Sequence, residues 1–168
     1  MKVLVTGAAG SIGRTVVRGL SDLGHELRGL DLVDGTALPL GWVTGDCLDP
    51  AVADEAVAGV DAVVHLAGES LAHRWSAARK RAIRESRVRG TELVARTIAA
   101  VERKPRVLLS ASAIGIYGDR GDEPLDEESV LGSDFLAGVA REWEAATVAA
   151  AQVAVLVLGA DRDGDQSA

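Results

Sequence analysis

The sequence predicts an α/β fold, a doubly wound parallel sheet with helices on both faces. Three observations predict it. Short β-branched runs alternate with stretches of helical spacing along the chain. The candidate strands are nearly unbroken apolar runs, as strands buried on both faces are. The filling residues are Ala, Val, Leu and Gly, with aromatics at only 3%, which suits a sheet closely covered by helices. A length of 168 residues suits one domain with its own core.

The elements follow in order. "KVLVTG" (2–7) reads as a buried strand ending in glycine. "SIGRTVVRGLSDLG" (11–24) has helical spacing at Ile12, Val16, Val17, Leu20 and Leu23, with Gly24 as its stop. "HELRGLDL" (25–32) and "WVTGD" (42–46) are the second and third strands. In "DPAVADEAVAG" (49–59), Asp49 is placed to cap a helix with Pro50 in its first position. "DAVVHLAG" (61–68) is the fourth strand, and a long helix follows over about 75–103. "RVLLSAS" (106–112) is the fifth strand. Residues 113–132 hold glycines, Pro124 and several acids, and read as a loop. A helix over 133–150 and a sixth strand, "QVAVLVLG" (152–159), complete the pattern. The expected domain is 1–159, with a polar, frayed tail over 160–168.

Composition sets limits. A net charge of −7 argues against a nucleic-acid partner. The basic run from Arg79 to Arg89 alternates with Ala82, Ile83 and Val88 and reads as the solvated face of a helix. A single cysteine allows neither an intrachain disulfide nor a thiolate metal cluster, and the three histidines show no ligand spacing. The apolar runs are too short to span a membrane and no signal peptide is evident, so a cytoplasmic protein is expected.

"VTGAAGSIG" (5–13) ends the first strand and opens the first helix. Gly7 permits the turn, Gly10 lets the backbone approach a pyrophosphate, and Gly13 lets the helix pack on the strand. The amides of Ser11, Ile12 and Gly13 would then face the anion. Asp31 lies 18 residues after Gly13, at the end of the second strand. A carboxylate there accepts from both hydroxyls of an adenine ribose and repels a 2′-phosphate, so NAD is expected over NADP. Arg14 and Arg28 are nearby cations that could accommodate such a phosphate. Asp46 and Cys47 end the third strand, where a side chain and an amide can meet the adenine edge; Cys47 could equally be a core filler. Leu66, Ala67 and Gly68 end the fourth strand and let the chain pass close to a cofactor. His65 points away from that site by strand alternation and reads as a buried, satisfied histidine.

These residues carry a family resemblance. "VTGAAGSIG", "DAVVHLAG" and "SASAIGIYG" resemble the NAD-dependent epimerase/dehydratases, the extended branch of the short-chain dehydrogenase/reductase superfamily. The blocks at 74–94 and 110–136 are similar to its atypical, sugar-nucleotide epimerase-like subgroup. The resemblance implies a Rossmann-type fold and hydride transfer with NAD, by an oxidoreductase or an epimerase of a sugar or sugar nucleotide. It also implies a homodimer, since the long helix often lies at a dimer interface in the family. The family's Ser or Thr, Tyr and Lys map onto Ala113, Phe135 and Val139. Ser112, beside Ala113, is the catalytic candidate that remains. Asp119, Asp122 and Glu123 read as solvated loop acids, and Tyr117 as either a packed loop aromatic or a residue lining a substrate pocket. Family members continue well past the sixth strand, so a C-terminal substrate lobe is expected to be missing. Three readings stay open: an NAD(P)-dependent enzyme, a catalytically impaired dinucleotide-binding module, or a truncated pseudoenzyme.

Overall fold

The computed structural model describes residues 1–33 and 41–158. The expected domain end at 159 and the tail over 160–168 lie outside the described residues. Six strands form one parallel sheet: β1 (Lys2–Thr6), β2 (Glu26–Asp31), β3 (Gly41–Thr44), β4 (Ala62–His65), β5 (Val107–Ala111) and β6 (Ala154–Leu158). Their order is β3-β2-β1-β4-β5-β6. The direction of winding reverses between β1 and β4, and the carboxyl ends of the strands open a crevice there. Register puts Thr6 beside His65 and His65 beside Ser110.

The apolar runs face two ways. On one face Leu4, Val63 and Leu108 pack against Ala56 and Val57 of α2 (Pro50–Val57) and Val94, Ala95 and Ile98 of α3 (Ala77–Ala100). On the other, Val3, Val5, Leu27 and Val64 pack against Val17 of α1 (Ser11–Asp22). A fourth helix, α4 (Phe135–Ala145), buries Ala137, Val139, Ala140 and Trp143 and packs beside α3. Cover on the α1 face thins toward the last strand: Leu109 of β5 is half-buried and Leu156 of β6 is 52% exposed.

The expected elements are present with trimmed ends. Asp49 caps α2 by accepting from the Ala51 amide, with Pro50 in the first position. The long helix starts later than its spacing predicts, at Ala77, because the Ser76 hydroxyl accepts from the Arg79 amide and fixes the boundary. Trp75 therefore lies outside the helix. The stretch over 113–132 is not wholly a loop, since Ile114–Tyr117 forms a 3-10 helix. The helix expected over 133–150 is divided, its α-helical part giving way to a 3-10 turn at Ala146–Ala150.

Candidate dinucleotide crevice

The glycine loop has the geometry its sequence implies. Gly7 sits at φ +70°, a conformation that favours glycine, and its amide donates to the Leu30 carbonyl at 2.8 Å. Gly13 is buried. A Cβ there would lie 2.1 Å from the Gly7 carbonyl oxygen, so only glycine lets α1 start this close to β1. Gly10 caps α1 without any side-chain hydrogen bond. The first helical amides have no partner within the helix, and the positive end of its dipole lies with them.

Asp31 ends β2 beside this loop. One carboxylate oxygen accepts from the Ala9 amide at 2.9 Å, the other from the Leu32 amide at 2.8 Å. The side chain is thereby held at the crevice, and each oxygen keeps a lone pair for another donor. Arg14 donates from Nε to the Ala9 carbonyl at 2.7 Å and stays near the loop. Arg28 does not. Its Nη1 donates to the Glu55, Ala56 and Ala58 carbonyls at the carboxyl end of α2.

A cavity of about 520 Å³ joins the carboxyl ends of the strands. It is lined by Gly7, Gly10, Asp31, Asp46, Cys47, Leu66, Ala67 and Gly68, together with Glu69, Ser70 and Ser86 from the α3 side. Ser11 and Ile12 are exposed on the first turn of α1, outside this lining. A second cavity of about 550 Å³ opens at the β2–β3 edge, among Lys2, His25, Glu26 and Trp42. It lies on the opposite side of the sheet from the strand ends and brings none of the site candidates together.

Cys47 belongs to both of its expected settings. It lines the cavity, and it is buried in the core that faces α3. Burial pushes its thiol up to about 11, helped by Asp46 and Asp31, so it stays protonated at neutral pH. Asp46 is exposed and accepts from the Leu48 amide at 2.9 Å.

His65 is fully buried, as expected, but only half satisfied. Its Nδ1 lies 2.7 Å from the Thr6 hydroxyl, while Nε2 has no partner among the described residues. The Thr6 oxygen already accepts from the Leu66 and Ala67 amides, both at 3.2 Å. Its own proton is therefore directed at His65 Nδ1, which places the ring proton on Nε2. Burial pushes the pKa of His65 down to about 4, so the ring is neutral.

Ser112 follows β5 and donates to Oε1 of Glu144 on α4 at 2.5 Å. That carboxylate was not legible in the sequence. Nothing in the linear pattern of α4 distinguishes Glu144 from the exposed acids, and only the crossing of α4 behind β5 makes the pair. Phe135 is half-buried and Val139 is buried. Phe135 meets Trp75 edge-on at 5.9 Å, and Lys80 Nζ lies 5.0 Å from its ring centre. Arg87 of α3, read from the sequence as part of a solvated basic face, is half-buried. Its guanidinium carbon lies 5.3 Å from the centre of the Trp143 ring. Among the described residues no group of three or more His, Cys, Asp or Glu is placed to hold a metal, and no helix is long and apolar enough to cross a membrane.

Residues 3–156 match the NAD dependent epimerase/dehydratase family. An Arabidopsis thaliana epimerase family protein, the SDR39U1 homologue, is 38% identical over 95% of this chain and 48% of its own length. The crystal structure of a nucleoside-diphosphate sugar epimerase from Corynebacterium glutamicum is 39% identical, with a TM-score of 0.78 over 95% of this chain and 33% of that one. Human epimerase family protein SDR39U1 with NADPH is 28% identical, with a TM-score of 0.72 over 88% of this chain and 48% of that one. The chain thus spans about half the length of the curated relatives it matches. The six-stranded parallel order, the glycine loop and the match over residues 3–156 agree: the chain belongs to the NAD dependent epimerase/dehydratase family.

Proposed function

We propose that this chain binds a nicotinamide dinucleotide across the carboxyl ends of its strands and serves hydride-transfer chemistry on a sugar or sugar nucleotide. The observation that carries the reading is the one cavity in which Gly7, Gly10, Asp31, Asp46 and Gly68 meet. The residues fit the cofactor. The start of α1, which has no side-chain cap, would hold the diphosphate with the Ser11, Ile12 and Gly13 amides. Asp31 would accept from the adenine ribose hydroxyls, and Asp46 with Cys47 would border the adenine, beside Leu66, Ala67 and Gly68. When bound, such a cofactor supplies the hydride acceptor or donor.

The substrate side falls to Ser112. Its hydroxyl proton points at Glu144, so its oxygen is free to accept from a substrate hydroxyl. A proton taken from that hydroxyl would pass to Ser112 as the serine proton moves to Glu144. This pair is the acid–base group offered in place of a Tyr and Lys, since Phe135 and Val139 hold no transferable proton. General acid–base help is worth about 10²–10⁴-fold. On this reading Ser112→Ala or Glu144→Gln lowers turnover by about 10²-fold with cofactor affinity intact. A loss of cofactor affinity that accounts for the lost rate would refute those roles. The second reading, a dinucleotide-binding module without turnover, is favoured by Phe135 and Val139 themselves.

Asp31 supports NAD over NADP, because its carboxylate would face a 2′-phosphate and Arg28 is committed to α2. NADPH in the human relative is a property of that protein. Calorimetric titration with NAD, NADP and ADP-ribose tests the reading. Micromolar binding of NAD and ADP-ribose, with NADP at least about tenfold weaker, is expected. Binding of none of the three overturns it.

A further inference from the structure

Arg87 is a half-buried cation without an acid. Lys2, Arg79, Arg84, Arg96, Arg103 and Arg120 each reach a carboxylate. No ion pair among the described residues includes Arg87. Glu69, the acid nearest to it in the chain of contacts, has its own carboxylate 3.0 Å from Arg79. What holds Arg87 is neutral: Nη1 donates to the Glu69 carbonyl at 2.9 Å and to the Ile83 carbonyl at 3.4 Å, and the guanidinium lies over Trp143. Its Nε and Nη2 make no hydrogen bond among the described residues. Its one nearby counter-charge, the Glu69 carboxylate, is shared with Arg79, and a partly desolvated charge so weakly matched is costly.

Its place gives the orientation a meaning. Gly68 lines the crevice, and a Cβ there would come within 3.2–3.4 Å of the Arg87 Cζ, Nη1 and Nη2 atoms. The guanidinium therefore lies against the bare backbone of Gly68, just behind the residues that line the cavity. One residue earlier, the Ala67 amide packs against Gly7, where a Cβ would stand 3.0 Å away. Arg87 and the glycine loop thus flank two successive residues of the same stretch of chain, Gly68 and Ala67. A planar guanidinium with two free donor groups matches the oxygens of a phosphate ester.

We propose that Arg87 is an anion-binding residue of the crevice, whose Nε and Nη2 groups receive the diphosphate of a nucleoside diphosphate conjugate lying over Gly68. The proposal rests on the dinucleotide reading above and adds a cation to a site otherwise built from amides and acids. The diphosphate could belong to the cofactor or to a sugar nucleotide. Adenosine diphosphate ribose and uridine diphosphate glucose separate the two.

The full chain, Arg87→Met and Arg87→Gln are titrated calorimetrically with ADP-ribose, UDP-glucose and adenosine. Methionine keeps an apolar stem against Trp143 but removes the charge. Arg87→Met is expected to bind ADP-ribose at least about tenfold more weakly, with adenosine affinity within about twofold of the native value. A loss confined to UDP-glucose assigns the group to a sugar nucleotide instead. Retained affinity for both diphosphates overturns the proposal. If Arg87→Met also loses adenosine, the result passes to Arg87→Gln, which keeps a donor for the Glu69 carbonyl but carries no charge. The same selective weakening is expected there, and unchanged diphosphate affinity overturns the proposal. A native chain that binds neither adenosine nor ADP-ribose overturns the dinucleotide reading, whereas native binding that survives both substitutions overturns the role of Arg87 alone.

Discussion

Gly13 and His65 show how single residues set the crevice. At Gly13 the nearest obstacle to a side chain is backbone, which cannot rotate away. Gly13→Ala is expected to force α1 off β1, costing about 1–3 kcal/mol and weakening ADP-ribose binding. Urea unfolding followed by calorimetry checks both, and an alanine variant with native stability would contradict the packing. His65 gives a pH dependence. Its folded pKa of about 4 lies below its ordinary value of 6.5, so the unfolded chain takes up the proton first. The stability from the neutral ring is complete above about pH 6.5 and is lost as pH falls toward 4. The loss is roughly 3 kcal/mol. Unfolding midpoints measured through this window should fall steeply in the native chain and more gently in His65→Gln. Residues whose role comes from local backbone geometry, such as Gly7, Gly13 and Asp31, were legible in the sequence. Glu144 and Arg87 were not, because each acquires its partners only when distant elements cross.

Among the elements, α4 holds Phe135 and Val139, and it delivers Glu144 to Ser112. Its start is fixed by Asp134, whose carboxylate accepts from the Ala137 amide at 2.8 Å. Asp134→Ala is expected to cost about 1 kcal/mol in a denaturant titration. A cost near zero would show that α4 is held by packing alone. The sequence placed this helix through its apolar spacing, yet its division near Ala146 was hidden. Ala and Val continue through the junction, where the Thr147 hydroxyl donates to the Glu144 carbonyl. The start of α3 was misplaced by two residues for a similar reason. Trp75 fits the apolar period, and the cap at Ser76 decides the boundary.

For the whole molecule, alternation and strand composition were enough to read the class of fold, because a βαβ crossover has one preferred hand and few alternatives. The cover on the α1 face was not so readable, since it depends on which helices reach which strands. Leu156 and its half-buried neighbour Leu109 leave apolar surface there. Exposed surface of this kind favours self-association. Sedimentation is expected to show association that grows with concentration and falls in Leu156→Glu; a monodisperse monomer at all concentrations would contradict it.

The Thr6 hydroxyl joins the last residue of β1 to the amides that follow β4 and to the ring of His65. The two banks of the crevice are therefore riveted together beneath the glycine loop, and parting them would strand two amides and an imidazole nitrogen out of reach of water. A ligand arriving at this crevice meets a seat already assembled. Its capture should be a single encounter whose observed rate climbs in a straight line with ligand concentration, with no plateau from a slow opening beforehand.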